Sequence, residues 1–358
     1  MWCHLNRSAQ FSFHLAKRVC KGSFEQEVYA FRAPVTLANL KNKMDEELQT
    51  IKVNVKGKDG QLLELKATVQ LDYLQDSFPD GSNVGTVIAF HGVPGSHNDF
   101  KILKSHLQEK GVRLVVANFP GFGYTPGDDG LACSGDEMVQ FADEIFKRIE
   151  PKGKLIFLGH SRGSEVALRM SALYENQTTA MVLVNPIGLS AHHGVRPRFV
   201  SSFLAWLWIV GSSIRFLLRP MLYFCMFLII TLSIKNGDVG ATTVKSVSMV
   251  QFSNQLQYIQ QLNNSHLQML IVYSGRDRII EQSISDDLVQ KFDSMERMIS
   301  EAKTAEPSMC EQYSQKLSAG SRKIAVCFSK EGHQLQRNQA QFLSDAIMDM
   351  FENAARQS

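Results

Sequence analysis

Short runs of apolar residues begin at Thr50. Ile51 to Val55, Leu62 to Leu71 and Val84 to Phe90 read as three successive strands, the second by its period of two and the third as a buried run. A helical stretch near Phe100 to Glu109, a strand at Val112 to Ala117 and a helix near Ser134 to Ile149 follow. Ser134 and Glu137 have the spacing of a capping box at the start of that helix. Lys154 to Leu158 reads as a strand, Glu165 to Tyr174 as a helix and Ala180 to Val184 as the sixth strand. The pattern stops at Asn185. It resumes with a strand at Met269 to Tyr273, a long helical region from about Ser283 to Lys303, a strand at Lys323 to Phe328 and a final helix from about Asn338 to Ala354.

Strands alternating with helices of this length imply right-handed crossovers and a mostly parallel central sheet with helices on both faces, an α/β fold. The stretch after the sixth strand is then an insertion. The expected organisation is an N-terminal lead over 1–49, disordered or helical, an α/β core over 50–185 and 266–358, and an apolar helical cap over 186–265.

The cap holds the most apolar part of the chain, from Phe199 through Trp206 and Trp208 to Ile234. Arg215, Arg219 and Pro220 split it into two uncharged runs, each shorter than the roughly 18–20 residues of a bilayer span. Length therefore favours a buried or interfacial pair of cap helices over two hairpinned spans. Arg196, Arg198, Arg215 and Arg219 are placed to meet lipid headgroups while Phe203, Trp206 and Trp208 dip beneath them, so peripheral membrane contact through the cap is an expectation.

Charge and cysteine content narrow the picture. The chain of 358 residues carries 38 Lys+Arg against 35 Asp+Glu, a net +3, with no block of like charge that would mark a nucleic-acid arm. No nucleic-acid partner is expected. The 6 cysteines are scattered without CxxC spacing in a chain too large to need stapling, and read as reduced thiols rather than metal ligands. The first residues, to about Phe24, are basic and Ser-containing but lack the apolar core of a secretory signal. The expected location is cytoplasmic or membrane-associated, with a mitochondrial transit peptide as the alternative reading of the lead.

Candidate chemistry begins with Gly159, His160, Ser161, Arg162 and Gly163, a G-x-S-x-G pattern between a predicted strand and a predicted helix, where a nucleophile elbow belongs. A serine hydroxyl needs a base, and the base needs an orienting carboxylate. Of the late histidines, His266 precedes the next strand, whereas His333 follows the last strand within Glu331-Gly332-His333. The acid candidate is Asp277, just beyond Tyr273, where Gly275 allows a tight turn; Asp286 and Asp287 compete from a helical stretch. The alternative acid position, at the end of the sixth strand, is occupied by the amide Asn185. Two backbone N–H groups would form an oxyanion hole: that of Arg162, and that of Val93 within His91-Gly92-Val93-Pro94-Gly95. Phe122, with Phe203 and Trp206 from the cap, are candidate substrate-binding side chains.

The His91 to Gly95 turn, the Phe119-Pro120-Gly121-Phe122-Gly123 loop and the order Ser161, Asp277, His333 together resemble the α/β-hydrolase family, over about Thr50 to Ala354. The wording Gly159 to Glu165 is similar to an uncharacterised α/β-hydrolase family known mainly from nematodes. The oxyanion turn also resembles that of epoxide hydrolases and haloalkane dehalogenases, which attack with an aspartate; Ser161 argues against both. The resemblance implies an α/β-hydrolase fold and acyl transfer: a serine hydrolase cleaving a small-molecule or lipid ester with a hydrophobic acyl group, without metal or organic cofactor. The competing reading is a non-catalytic lipid- or protein-binding module on the same fold. One departure is Arg162, a long cation beside the nucleophile, whose side chain either pairs with Glu165 or meets an anionic substrate group.

Overall fold

The structure, a computed structural model, describes residues 48–71, 82–230, 234, 236–302 and 307–357. The N-terminal lead and its transit-peptide reading lie outside these residues, apart from the first strand's opening positions.

Nine strands form one sheet: β1 Leu48–Lys56, β2 Leu62–Leu71, β3 Thr86–Phe90, β4 Arg113–Ala117, β5 Leu155–His160, β6 Ala180–Val184, β7 Gln268–Ser274, β8 Glu296–Ser300 and β9 Lys323–Phe328. Their order is β1-β2-β4-β3-β5-β6-β7-β9-β8. β1 pairs antiparallel with β2, and β2 with β4; every other pairing is parallel. The described helices are α1 Lys101–Glu109, α2 Gly135–Ile149, α3 Gly163–Leu173, α4 Arg198–Val210, α5 Ser212–Ile230, α6 Gly237–Ser248, α7 Gln255–Asn263, α8 Gln282–Val289, α9 Pro307–Ser318, α10 Leu335–Asn338 and α11 Ala340–Gln357.

Both faces of the sheet are covered, which is why its central strands read as unbroken apolar runs. Ile88 and Phe90 point to one face with Phe157, Phe141 and Val166, while Val87 and Ala89 point to the other with Leu158, Phe342 and Ile347. The capping box at Ser134 forms, with its hydroxyl accepting from Glu137 N–H and the Glu137 carboxylate accepting from Ser134 N–H.

One stretch departs from expectation. The long helix predicted from Ser283 to Lys303 is instead the short helix α8, a break at Ser294 with φ 57°, and the edge strand β8. Burial alternates along β8, with Met298 and Ser300 inside, but the sequence does not, because the apolar Ile299 is exposed and the polar Ser300 buried, so no strand period is legible. The helix α9 that follows is an addition to the expected elements.

Between β6 and β7 the chain is helical, α4 to α7. Its last helix, α7, sends Ile259 and Leu262 into the main core, whereas Ala205, Trp208, Leu218, Leu222, Ala241 and Val244 of α4, α5 and α6 form a separate small cluster.

Candidate active site

Ser161 stands between β5 and α3, at the C-terminal end of the central strand. Its φ of 51° lies in the left-handed region, and its N–H donates to Val184 O at 2.9 Å. A turn this sharp brings helix and strand into backbone contact. A Cβ on Gly159 would collide with Gly163 O, and one on Gly163 would collide with Phe90 O. Both glycines are thus required by steric exclusion at a strained turn.

His333 sits in the loop between β9 and α10, and its Nδ1 lies 2.7 Å from Asp277 Oδ2. The other carboxylate oxygen, Oδ1, accepts from Ile279 N–H at 2.8 Å and Ile280 N–H at 3.1 Å. Burial pushes the Asp277 carboxyl up, but the hydrogen bond and charge of His333 and the two backbone donors outweigh it, leaving it below its ordinary value. An ionised Asp277 accepts, so Nδ1 of His333 carries the proton and Nε2 is left as the basic edge. The tight turn foreseen at Gly275 is real, and its Cβ would run into the backbone of Ser329, beside the end of β9. No hydrogen bond joins Ser161 Oγ to His333 in this structure; hydrogen bonds of this kind are often long without substrate.

The His91 to Gly95 turn lies against Ser161: a Cβ on Gly92 would be 3.0 Å from Ser161 Cβ. His91 bolts this turn to the loop after β4. Phe119 N–H donates to its Nε2 at 3.0 Å, so the ring proton is on Nδ1, which donates to Gly92 O at 2.7 Å. Burial lowers the His91 pKa to about 4, which holds the ring neutral in that tautomer at physiological pH.

Of the two readings for Arg162, the structure favours pairing within the elbow helix. Its guanidinium is buried in an ion pair with Glu165, and Glu165 also meets Arg169 at 3.5 Å, which reaches Asp136 at 2.6 Å. Burial lowers the Arg162 pKa to about 10, so it remains charged at neutral pH.

Phe122 is buried and lines a small apolar void with Phe119, Leu131 and Met138. Next to it, a cleft of about 210 Å³ opens between the 120–133 loop and the helical insertion, walled by Asp128, Asp129, Trp208, Asp238, Thr242 and Lys245. Phe203 and Trp206 line neither space. They stack on each other at 5.8 Å and are 55% and 58% exposed on α4.

Several site residues escaped the sequence reading. His160 Nε2 donates to His333 O at 2.9 Å, Asn185 Nδ2 donates to the same oxygen at 2.8 Å, and Ser274 Oγ donates to Gly332 O at 2.6 Å. Asn185, at φ 43°, therefore anchors the histidine loop from the position an acid could have occupied. Burial, then the neighbouring His333, lowers the His160 pKa to about 3. His192 reaches over from the insertion to donate through Nδ1 to Ile279 O at 3.0 Å. The only sequence signal for these contacts was position: His160, Asn185 and Ser274 each stand at or next to a strand end, whereas His192, inside the insertion, carried none. Among the described residues, no group of His, Cys, Asp or Glu is arranged to hold a metal ion.

Comparison with known proteins gives the same fold. Residues 47–352 match the family described as "Alpha/beta hydrolase of unknown function (DUF1057)". An uncharacterised Caenorhabditis elegans protein, F35H12.5, is 26% identical over 309 residues, which cover 84% of this chain and 86% of that protein. Among solved structures, a putative lipase from Acinetobacter baumannii is similar with a TM-score of 0.57 at 15% identity, over 92% of this chain and 100% of that one. A thermophilic esterase from Thermogutta terrifontis has a TM-score of 0.55 at 14% identity, over 86% and 99%. The haloalkane dehalogenase DbeA from Bradyrhizobium elkani has a TM-score of 0.60 at 9% identity, over 87% and 100%. At these identities the solved structures establish the fold alone.

Proposed function

We propose that this chain, which belongs to the α/β-hydrolase family of unknown function, is a serine hydrolase that cleaves carboxylic esters through an acyl-enzyme. The observation that carries the reading is the 2.7 Å hydrogen bond from His333 Nδ1 to the buried Asp277, which leaves a basic Nε2 on the loop that the residue before Ser161 holds in place.

In the proposed reaction Ser161 Oγ attacks the ester carbonyl carbon while His333 Nε2 takes its proton. Asp277 stabilises the imidazolium so formed. In this reading the oxyanion meets the N–H groups of Arg162, at the elbow, and Val93, in the turn that His91 clamps. Collapse of the intermediate expels the alcohol, which leaves with the proton from His333. Water, deprotonated by the same ring, then attacks the acyl-serine and releases the acid, restoring Ser161. The acyl group is hydrophobic in this reading, in keeping with Phe119 and Phe122, which pack on His91 in the turn that lies against Ser161.

A fluorophosphonate probe tests the proposal. Wild-type protein is expected to label covalently, and Ser161→Ala to remain folded and unlabelled. Folded wild-type protein that stays unlabelled would overturn it in favour of a non-catalytic module. A series of p-nitrophenyl esters of increasing chain length then reads the acyl preference.

A further inference from the structure

The helices α4 and α5 are apolar on both sides. Their inner sides supply Ala205, Trp208, Leu218 and Leu222 to the small cluster with α6. Their outer sides are apolar too. Among the described residues, 11 of the 18 exposed large hydrophobic side chains lie on these two helices, including Phe199, Phe203, Trp206, Phe216, Leu217 and Phe224. Phe199 and Phe216 are 74% and 73% exposed. Water does not stabilise such a surface, and a helix that is hydrophobic all round normally has an apolar environment on every side.

We infer that the outer face of α4 and α5 docks in the plane of a phospholipid bilayer, with the aromatic side chains below the headgroups. Three observations select a bilayer over a second copy or another protein. The first is the poverty of hydrogen-bonding groups. Among the residues of the two helices whose burial is described, the exposed ones that are not large and hydrophobic are Ser202, Ser213, Arg198, Arg219 and Pro220. A protein interface of this extent carries about one hydrogen bond per 100–200 Å² and a polar rim. The second is charge. No Asp or Glu occurs from Asn176 to Gly237, while Arg196, Arg198 and Arg219 stand exposed along that stretch. An apolar stretch with no acid of its own and with arginines beside it complements an anionic leaflet, although carboxylates from elsewhere in the chain meet several of those arginines. The third is dimension. No described helix is long and apolar enough to cross a membrane, so the face lies on the bilayer rather than through it. Exposed Trp206 and Tyr223 belong to the residue types that settle at the headgroup level.

Most of the arginines already have partners on the protein: Arg196 with Glu281, Arg219 with Asp238 and Arg215 with Asp129. Apolar insertion therefore carries most of the affinity, and salt weakens binding only modestly.

The test is flotation of the full chain with phosphatidylcholine vesicles containing a minor fraction of phosphatidylserine. Wild-type protein is expected to float, and lipid brominated on its acyl chains to quench tryptophan emission, an effect lost in Trp206→Phe. The quadruple variant Phe203→Ser, Trp206→Ser, Phe216→Ser, Phe224→Ser is expected to bind at least about tenfold more weakly. Ser161→Ala is expected to bind as wild type does, which separates this inference from the catalytic one. Wild-type protein that stays at the bottom of the gradient would overturn it, as would a self-association that the quadruple variant abolishes while vesicles recover none of the protein. If the quadruple variant does not fold, the bromolipid measurement on wild type and Trp206→Phe decides alone.

Discussion

His160, the residue before Ser161, donates a 2.9 Å hydrogen bond to the backbone carbonyl of His333, and the two rings lie 4.9 Å apart. The elbow and the histidine loop are thereby tied directly, although 173 positions separate them in the chain. Asn185 supplies the second donor to that carbonyl. Because the His160 pKa is lowered to about 3, the ring stays neutral over the working range and adds no titration of its own.

His160→Phe keeps a ring but removes the donor, and is expected to lower kcat on p-nitrophenyl esters by about tenfold with little change in KM, through a misplaced base. His160→Gln, which retains a side-chain N–H, is expected to recover most of the loss. Equal losses in both variants would mean that ring packing, not the hydrogen bond, is what His160 provides.

Asp277→Asn tests the acid. An amide cannot stabilise imidazolium, and the rate of fluorophosphonate labelling is expected to fall by about 10³-fold or more. The same residue shapes acid stability. Its carboxyl sits below the ordinary value in the folded state, so its stabilisation is present above the unfolded-state pKa and is lost as pH falls through the folded one. Urea midpoints measured from neutral to strongly acidic pH should fall for wild type, and part of that acid dependence should disappear in Asp277→Asn.

Arg162 and Glu165 form a buried ion pair in the first turn of the elbow helix. Removing Arg162 leaves the buried Glu165 only its longer 3.5 Å contact with Arg169, so Arg162→Met is expected to cost about 3 kcal/mol in urea unfolding. The double variant Arg162→Met, Glu165→Met should recover much of that loss. A double variant no more stable than the single one would show that the guanidinium has some further partner.

Gly163→Ala forces a methyl into the backbone oxygen of Phe90, and soluble folded protein is expected to be lost or its Tm sharply lowered. Gly211, between α4 and α5, is the control. A Cβ there meets nothing within 4 Å and its φ of 164° is ordinary extended backbone. Gly211→Ala should leave Tm within a few degrees of wild type, as read by thermal unfolding followed by circular dichroism.

Local patterns were sufficient for eight of the sheet's nine strands, the capped helix at Ser134 and the elbow. Hydrophobic period and the steric limits of a five-residue turn depend on neighbours in the chain, so Gly159, Ser161 and Gly163 could be read without coordinates. The pairing of Asp277 with His333 was foreseeable from their places after late strands. Other features depended on partners distant in sequence. Whether Arg162 faces Glu165 or the cleft, that His160 and Asn185 hold one carbonyl, that 283–303 divides into a helix and an edge strand, and that Phe203 and Trp206 turn outward are outcomes of which surfaces meet. A residue type sets what a side chain can bond to, but only packing in three dimensions selects the partner it gets.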